Sequence, residues 1–212
     1  MPRVVLVPGL GLDARSSSRL RALLPADVVV LPGMGLRGPV PSVDELADRV
    51  CRQLGEGPVV LAGHSQSCQI VAAAAGRDDR VVGVVLLGPT TDPRLRTPGG
   101  LAGRWLATAL REPLRHYPRV LAQWRHTGPR AMTALWRAAA PDPIDRRLAA
   151  VRVPVVVVRG TRDALCPGDW ARALVAAAPA AELVELPVAA HMTVLTHPEA
   201  VADLLRSLRA QV

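Results

Sequence analysis

Six short runs of Val and Leu recur along the chain, and each ends at a Gly, a Pro or a polar residue. They occupy residues 4–7, 28–31, 59–62, 84–87, 155–158 and 183–186. Apolar, β-branched runs of this length are typical of strands that are buried on both faces, as in a parallel sheet. Because helix-like segments lie between most of them, the pattern predicts a three-layer α/β fold with about six parallel strands and right-handed crossovers.

Local signals place several of the helices. Ser42 predicts a helix start, because Glu45 three residues later completes a capping box, and that helix extends through Leu54. The Ala-rich segment 66–75 predicts a buried helix, and further helices are predicted at residues 167–178 and 198–208. This alternation of strand and helix leaves one long interval unexplained.

That interval runs from Thr91 to Asp142 and contains no strand pattern. It predicts an all-helical insertion over residues 91–142, which divides the core into residues 1–90 and 143–212. Four of the five aromatic residues fall within it: Trp105, Tyr117, Trp124 and Trp136. Aromatic residues in such a segment more often pack between its helices than contact a substrate, but the position of the three Trp makes them candidates for a substrate pocket.

The formal charge of +8 comes entirely from Arg, because the 26 Lys+Arg residues include no Lys. Asn and Phe are also absent, and the abundant residue types are those with GC-rich codons. The arginines are scattered, and no aromatic residues alternate with them to form a base-stacking surface. The composition therefore indicates the GC-rich genome of a bacterium and a solvated basic surface, and we expect no nucleic-acid partner.

The cysteines and the apolar segments bear on location. Cys51, Cys68 and Cys166 are odd in number and widely spaced, which favours reduced thiols in a cytoplasmic protein over a zinc or disulfide framework. The apolar run 4–7 ends at once in Pro-Gly, so no signal peptide is expected. The longest stretch without charged residues, 57–76, contains His, Ser and Gln and is a poor membrane span, so no membrane partner is expected.

The sharpest local signal is the segment 59–67, where a predicted buried strand runs into Gly63-His64-Ser65-Gln66-Ser67 and then into a helix. This is the context of a nucleophile elbow, in which the turn is so tight that the central Ser adopts a strained backbone conformation. Small residues are needed two positions before and two positions after it. Gly63 meets that need, and Ser67 is small enough to be tolerated. Ser65 is therefore a candidate nucleophile.

A serine hydroxyl needs a base, and the base needs an orienting acid. Asp163 follows the predicted strand 155–158 within a short loop, and His191 follows the predicted strand 183–186. Both residues are expected beyond the carboxyl ends of parallel strands, on the same rim as Ser65. The chain order Ser65, Asp163, His191 is the one found in α/β-hydrolases.

The chain resembles an α/β-hydrolase over nearly its whole length. The resemblance rests on five segments: Pro8-Gly9-Leu10-Gly11 after the first strand, Pro32-Gly33-Met34-Gly35 after the second, the elbow 63–67, the acid loop Gly160-Thr161-Arg162-Asp163, and Ala190-His191 through His197-Pro198-Glu199. Pro8 stands where the family has His, Ser67 where it has a second Gly, and Val30 where an Asp often precedes the Pro-Gly turn.

The resemblance implies an α/β-hydrolase fold without the first two strands of the full family sheet, with the helical insertion at the family's lid position. It implies that Ser65, Asp163 and His191 form a catalytic triad and that the backbone N–H groups of Leu10 and Gln66 form an oxyanion hole. His197 is then a helix-start residue, not the base. No metal and no organic cofactor is implied.

Several alternatives stay open on the sequence. Asp92, just after the fourth strand, is a second candidate for the triad acid. His64 is expected to pack near the loop after the first strand, His116 and His126 to lie on a solvated face of the insertion, and Cys68 and Cys166 to be small core or near-site residues.

The predicted function is a serine hydrolase that cleaves an ester or thioester of a small, apolar acyl substrate. The alternatives are a non-hydrolytic lyase, acyltransferase or cyclase on the same fold, or a binding protein without catalysis.

Overall fold

The computed structural model describes residues 1–90 and 92–212. In chain order its strands are β1 (Arg3–Val7), β2 (Asp27–Val28), β3 (Leu31–Pro32), β4 (Gly35–Leu36), β5 (Val59–His64), β6 (Val81–Leu87), β7 (Val155–Gly160) and β8 (Ala181–Leu186). Within the described residues, six of them pair in parallel in the order β2-β1-β5-β6-β7-β8. The predicted parallel sheet of about six strands is confirmed.

Ten α-helices are present in the described part of the chain. They are α1 (Ser18–Leu23), α2 (Val43–Gln53), α3 (Cys68–Ala75), α4 (Pro98–Ala109), α5 (Tyr117–Thr127), α6 (Pro129–Ala139), α7 (Ile144–Leu148), α8 (Gly168–Ala177), α9 (Thr193–Thr196) and α10 (Pro198–Gln211). Short 3-10 turns occur at Ala14–Ser17, Ser65–Ser67, Pro93–Leu95 and Leu114–His116. None of these helices is long and apolar enough to cross a lipid bilayer.

Two separate hydrophobic cores lie on the two faces of the sheet, because successive strand residues point to opposite sides. Along β1, Val5 and Val7 belong to a core that contains residues of α2, α3, α7 and α8. Val4 and Leu6 belong to the opposite core, which contains residues of α1 and α10. Helices therefore cover both faces, and the predicted three-layer α/β fold is confirmed.

The predicted capping box is present. The Oγ of Ser42 accepts the N–H of Glu45 at 3.2 Å, and the Ser42 N–H donates to the Glu45 carboxylate at 3.0 Å. The predicted strand 28–31 is too long, because the main-sheet strand ends at Val28. Leu31 and Met34 exchange both backbone hydrogen bonds in a tight turn, so the Leu31 N–H and C=O are used locally and not in the main sheet.

The sequence patterns did not predict α1 and the 3-10 turn before it. The basic cluster at residues 15–21 lies there, and its charges are partly neutralised. Arg15 pairs with Asp13 at 2.7 Å, and Arg19 pairs with Glu199 on α10 at 3.2 Å. Both arginines are largely exposed, and ion pairs at the protein surface are weak, so these pairs add little to stability.

The described residues between β6 and β7 form helices with short connections and contain no strand; the α-helices there are α4, α5, α6 and α7. The predicted boundary at Thr91 lies outside the described residues. The division into a core and a lid over residues 91–142 stays a prediction. We call residues 93–148 the helical segment.

Candidate active site

Ser65 lies directly after β5, at the start of the 3-10 turn Ser65–Ser67, and has a positive φ of 57°. A left-handed conformation costs a residue with a side chain about 1–2 kcal/mol, so the surrounding turn must hold it in place. Gly63 allows the turn to close, because a Cβ at that position would lie 2.9 Å from the Val71 side chain and 3.1 Å from the Ser67 carbonyl oxygen. This is the strained strand–turn–helix geometry that the elbow pattern predicts.

Ser67 does more than leave room for the turn. Its side chain is fully buried, and its Oγ accepts the His64 N–H at 2.8 Å while donating to the Val7 carbonyl oxygen at 2.8 Å. The hydroxyl therefore joins the ends of β1 and β5 beneath the elbow. Sequence reasoning treated Ser67 as a small replacement for glycine and missed these bonds, because they depend on the parallel pairing of two strands.

Asp163 and His191 are brought together from the loops that follow β7 and β8. Asp163 Oδ2 accepts a hydrogen bond from His191 Nδ1 at 2.7 Å, and both residues are buried. The other Asp163 oxygen accepts the backbone N–H groups of Leu165 at 2.8 Å and Cys166 at 3.1 Å. These bonds fix the carboxylate and thereby the plane of the imidazole ring.

The electrostatics of this pair favour its ionised form. Burial acts to lower the pKa of His191, but the charge of Asp163 and its hydrogen bond outweigh burial, and the charge of Glu112 adds to them, so the pKa is raised above 6.5. Burial acts to raise the pKa of Asp163, but His191 and the two backbone N–H donors lower it below 3.8. Asp163 therefore stabilises a proton on His191 while staying ionised itself.

The other ring nitrogen of His191 is free to act. Since Nδ1 donates to Asp163, Nε2 of the neutral ring carries the lone pair. Nε2 is buried and has no hydrogen-bond partner among the described residues. His191 and Ser65 contact the same cavity, so the imidazole and the serine of the elbow border a common space.

Asp92 occupies a different place. Its carboxylate is buried and accepts both the backbone N–H and the Nε of Arg94 at 2.9 Å, which caps the 3-10 turn Pro93–Leu95. Arg94 also donates a hydrogen bond to the carboxylate of Asp169 on α8 at 2.9 Å. Asp163, not Asp92, is thus the carboxylate at the His191 ring.

The cavity at Ser65 has a volume of about 130 Å³. Leu10 and Gln66, whose backbone N–H groups are the predicted oxyanion donors, contact this cavity together with Ser65. Gln66 is in the first turn of a helix, where N–H groups have no carbonyl partner within the helix. The predicted pocket residues all contact the same cavity: Trp105, Trp124 and Trp136. Most of its remaining wall is aliphatic.

His64 packs against Gly9 in the loop after β1, as the sequence predicts, since a Cβ on Gly9 would lie 2.7 Å from His64 Nδ1. The ring also lies 5.1 Å from that of His191, and its Nε2 donates to the His191 carbonyl oxygen at 3.1 Å. Burial, together with the positive charge of His191, lowers the pKa of His64 to about 3, so the ring stays neutral. This support for the His191 backbone was not evident in the sequence.

Gly88, directly after β6, is a site residue that sequence reasoning missed. Its φ is +57°, and its N–H donates to the Val158 carbonyl oxygen at 2.7 Å. A Cβ there would lie 3.0 Å from His191 Nδ1 and 3.2 Å from Asp163 Oδ2. Glycine therefore lets the backbone approach the His–Asp pair. A glycine directly after a predicted strand is the only signal that pointed to it.

The helical segment is hydrogen-bonded to three loops around the cavity. Thr108 Oγ1 accepts the Ala164 N–H at 3.1 Å in the loop that carries Asp163. Glu112 Oε1 accepts the N–H of Met192, the residue after His191, at 2.7 Å. Gln123 Oε1 accepts the Asp13 N–H at 2.9 Å in the loop that carries Leu10. The positions of the three loops are thus coupled to α4, to the connection between α4 and α5, and to α5.

The remaining candidate residues lie apart from the reacting groups or in supporting positions. Cys68 and Cys166 are buried free thiols, and burial raises both pKa values. His126 is exposed on α5, whereas His116 is half-buried beside a second cavity. His197 precedes the first residue of α10 and bonds to Thr196 Oγ1 at 2.8 Å, in keeping with a role at the helix start.

The architecture and the site define a class: a three-layer α/β-hydrolase fold with a serine at a strained strand–helix turn and a buried His–Asp pair on the same rim. The sequence model of the Alpha/beta hydrolase family matches residues 4–204. The chain belongs to the Alpha/beta hydrolase family.

Comparisons with individual proteins find similarities of two kinds. One is polyketide synthase ThaQ of Burkholderia thailandensis, which is 32% identical over 94% of this chain; the chain spans 11% of the length of that protein. The others are solved structures with the same fold. A thermophilic esterase from Thermogutta terrifontis has a TM-score of 0.73 and 23% identity, covering 100% of this chain and 90% of that one. A hydrolase from Oleispira antarctica has a TM-score of 0.79 and 16% identity, covering 99% and 91%.

Proposed function

We propose that this protein is a serine hydrolase that cleaves a carboxylic ester or thioester through an acyl-enzyme, with Ser65, His191 and Asp163 as its triad. The observation that carries the proposal is the state of His191. Its Nδ1 is hydrogen-bonded to the buried carboxylate of Asp163 at 2.7 Å, and its Nε2 has no hydrogen-bond partner among the described residues. His191 also contacts the cavity that Ser65 contacts. This is the arrangement that converts a weak serine hydroxyl into a nucleophile.

The steps follow from that arrangement. His191 Nε2 takes the hydroxyl proton as Ser65 Oγ attacks the substrate carbonyl carbon. The N–H groups of Leu10 and Gln66 bind the resulting oxyanion, and each such donor is worth about 3–4 kcal/mol in the transition state. The tetrahedral intermediate collapses as His191 gives the proton to the leaving oxygen or sulfur. Water, deprotonated by His191, then attacks the acyl-enzyme and releases the acid and Ser65.

The residues that line the cavity indicate what kind of acyl group it binds. Trp105, Trp124 and Trp136 contribute aromatic surface, and most of the other contacts are aliphatic side chains such as Leu12 and Leu95. An apolar acyl group gains stability by leaving water for such a wall, at roughly 25 cal/mol per Å² of buried apolar area. The substrate is therefore a small molecule with an apolar acyl part, and the neighbours named as esterases or hydrolases are compatible with this chemistry.

A fluorophosphonate probe and a panel of acyl esters and thioesters test the proposal. We expect the wild type to be labelled and to hydrolyse part of the panel, and we expect Ser65→Ala to lose both properties. Ser207→Ala, at an exposed position on α10, is the matched control and should behave as the wild type. Labelling or hydrolysis that persists in Ser65→Ala would overturn the proposal.

A second candidate is acyl transfer or cyclisation from the same acyl-enzyme, with an alcohol or amine replacing water. The likeness to a segment of a polyketide synthase favours it and puts thioesters of polyketide-type acyl chains in the panel. Product analysis separates the two candidates. Free acid indicates hydrolysis, whereas a new ester, amide or lactone that forms at the expense of the acid indicates transfer.

A further inference from the structure

A second cavity of about 110 Å³ adjoins the first, and the two share six residues: Trp105, Val120, Trp124, Leu165, His191 and Met192. Ser65, Leu10 and Gln66 contact only the first cavity. Thr108, Glu112, His116 and Tyr117 contact only the second. His191 therefore lies at the junction of two cavities that are contacted by different polar residues.

The proposed function assigns a part of the substrate to each space. The carbonyl carbon must lie at Ser65 and its oxygen at the oxyanion donors, so the acyl chain belongs to the first cavity. The leaving atom must lie within reach of His191 Nε2, because His191 returns the proton to it. The second cavity contacts His191 but neither Ser65 nor the oxyanion donors, so it is the space for the leaving group.

The second cavity is mostly apolar but carries two polar side chains whose hydrogen bonding is incomplete. Glu112 uses Oε1 to accept the Met192 N–H at 2.7 Å, while its Oε2 is buried with no partner among the described residues. His116 Nε2 is likewise buried and unpartnered within the described part of the chain. A buried polar atom without a partner costs about 1–3 kcal/mol, so two of them beside one cavity indicate a polar ligand.

The charges nearby narrow the chemistry of that ligand. Burial raises the pKa of the Glu112 carboxyl, although the Met192 N–H and the positive charge of His191 act to lower it. In the ionised form a carboxylate oxygen can only accept, so Glu112 Oε2 needs an N–H or O–H donor. Burial lowers the pKa of His116, and the positive charges of Arg115, Arg119 and Arg19 lower it further, which favours the neutral ring. The ligand therefore carries an N–H or O–H donor that Glu112 Oε2 can accept.

We propose that the second cavity binds the leaving group of the substrate and that Glu112 selects a leaving group that carries an N–H or O–H donor. This inference rests on the proposed function. Glu112 is a specificity residue here: one of its oxygens holds the loop of His191, and the other contacts the departing alcohol or thiol.

Two thioesters of one acyl chain test the proposal, because their leaving thiols differ only in the group at issue. They are the thioesters of N-acetylcysteamine, with an amide N–H, and of 2-acetoxyethanethiol, with an ester oxygen in place of that N–H. We expect the wild type to prefer the amide over the ester by about tenfold or more in kcat/KM. A tenfold preference corresponds to about 1.4 kcal/mol.

Glu112→Gln separates selection from loop support. A glutamine keeps an oxygen for the Met192 N–H and places an NH2 donor where Oε2 was, because the reverse orientation would set two donors against each other. We expect the amide-to-ester ratio to fall to about one. Glu182→Gln, which removes an exposed carboxylate on β8, is the matched control and should keep the wild-type ratio.

Calorimetry with the corresponding non-hydrolysable thioethers measures the same preference as a ratio of Kd values and does not depend on turnover. Equal wild-type preference for the amide and the ester, or a wild-type ratio retained in Glu112→Gln, would overturn this inference and leave the proposed function intact. A failure of the proposed function would be recognised by a different result, namely unchanged hydrolysis in Ser65→Ala.

Discussion

Replacing Ser67 by alanine tests the claim that its hydroxyl supports the elbow. The change keeps the side chain small, so the tight turn after β5 is still possible. It removes the Oγ that accepts the His64 N–H at 2.8 Å and donates to the Val7 carbonyl oxygen at 2.8 Å. Both partners lie in the interior, where water cannot replace the lost bonds.

The expected magnitude follows from these two bonds. A buried N–H left without a partner costs about 1–3 kcal/mol, and the lost bond to the Val7 oxygen costs about 0.5–1.5 kcal/mol more. The free energy of unfolding should therefore fall by roughly 2–4 kcal/mol in Ser67→Ala. For a chain of this length, each kcal/mol lowers Tm by about 2–4 °C, so Tm should fall by about 4–16 °C.

Ser67→Gly restores the residue that the family usually has at this position and makes the test sharper. Glycine loses the same two bonds and also raises the entropy of the unfolded chain, at about 0.5–1 kcal/mol. We therefore expect stability to decrease from the wild type to Ser67→Ala to Ser67→Gly. A view in which only the size of residue 67 matters expects no loss in either variant.

Thermal and urea unfolding, followed by circular dichroism, measure these differences. Ser207→Ala, at an exposed position, is the control and should change the free energy of unfolding by less than about 0.5 kcal/mol. The reasoning is refuted if Ser67→Ala matches this control, or if Ser67→Gly is more stable than the wild type.

Three further predictions concern the His–Asp pair. Asp163→Asn should lower kcat/KM by roughly 10⁴, because the amide favours the wrong His191 tautomer. Stopped-flow ester hydrolysis measures this loss of activity, and a loss of less than tenfold would contradict the proposed role of Asp163. Gly88→Ala should lower the free energy of unfolding by about 1–2 kcal/mol, because its backbone is left-handed, and should also lower kcat, because the new Cβ displaces the His–Asp pair. Urea unfolding and steady-state kinetics measure the two effects, and an unchanged kcat would argue against that contact. Because His191 must be neutral to act as the base and its pKa is raised, kcat/KM should rise with pH with a midpoint above 6.5. Glu112→Gln removes a negative charge that contributes to the raised pKa of His191, so the midpoint for this variant should move to lower pH. An unmoved pH–rate profile would exclude that contribution.

The separation of two interacting residues along the chain decides whether the sequence alone predicts their interaction. The strand runs, the capping box at Ser42 and the strained Ser65 follow from residues that are close in the chain, and the structure contains them. The strand at 28–31 was predicted too long, because the pattern could not show that Leu31 pairs with Met34 in a turn. The helix α1 was missed because its sequence has no clear capping or apolar period.

The roles of the site residues followed from chain order and resemblance, whereas their contacts did not. Asp92 and Asp163 both lie after strands and are equivalent in that pattern. Only the packing decides that Arg94 neutralises Asp92 while Asp163 lies at the His191 ring. The catalytic roles stay predictions until the variants are measured.

The sequence by itself determined the layers, the parallel strands and the candidate nucleophile, because burial periodicity and turn sterics act over a few residues. The tertiary structure decided the partners of Ser67, the approach of Gly88 to the His–Asp pair, and the place of Glu112 between the His191 loop and the second cavity. Each of these depends on side chains that are far apart in the chain and meet only when the sheet and the helical segment pack. Hydrogen bonds and close contacts of that kind have a range of a few ångströms, so no local pattern can encode them.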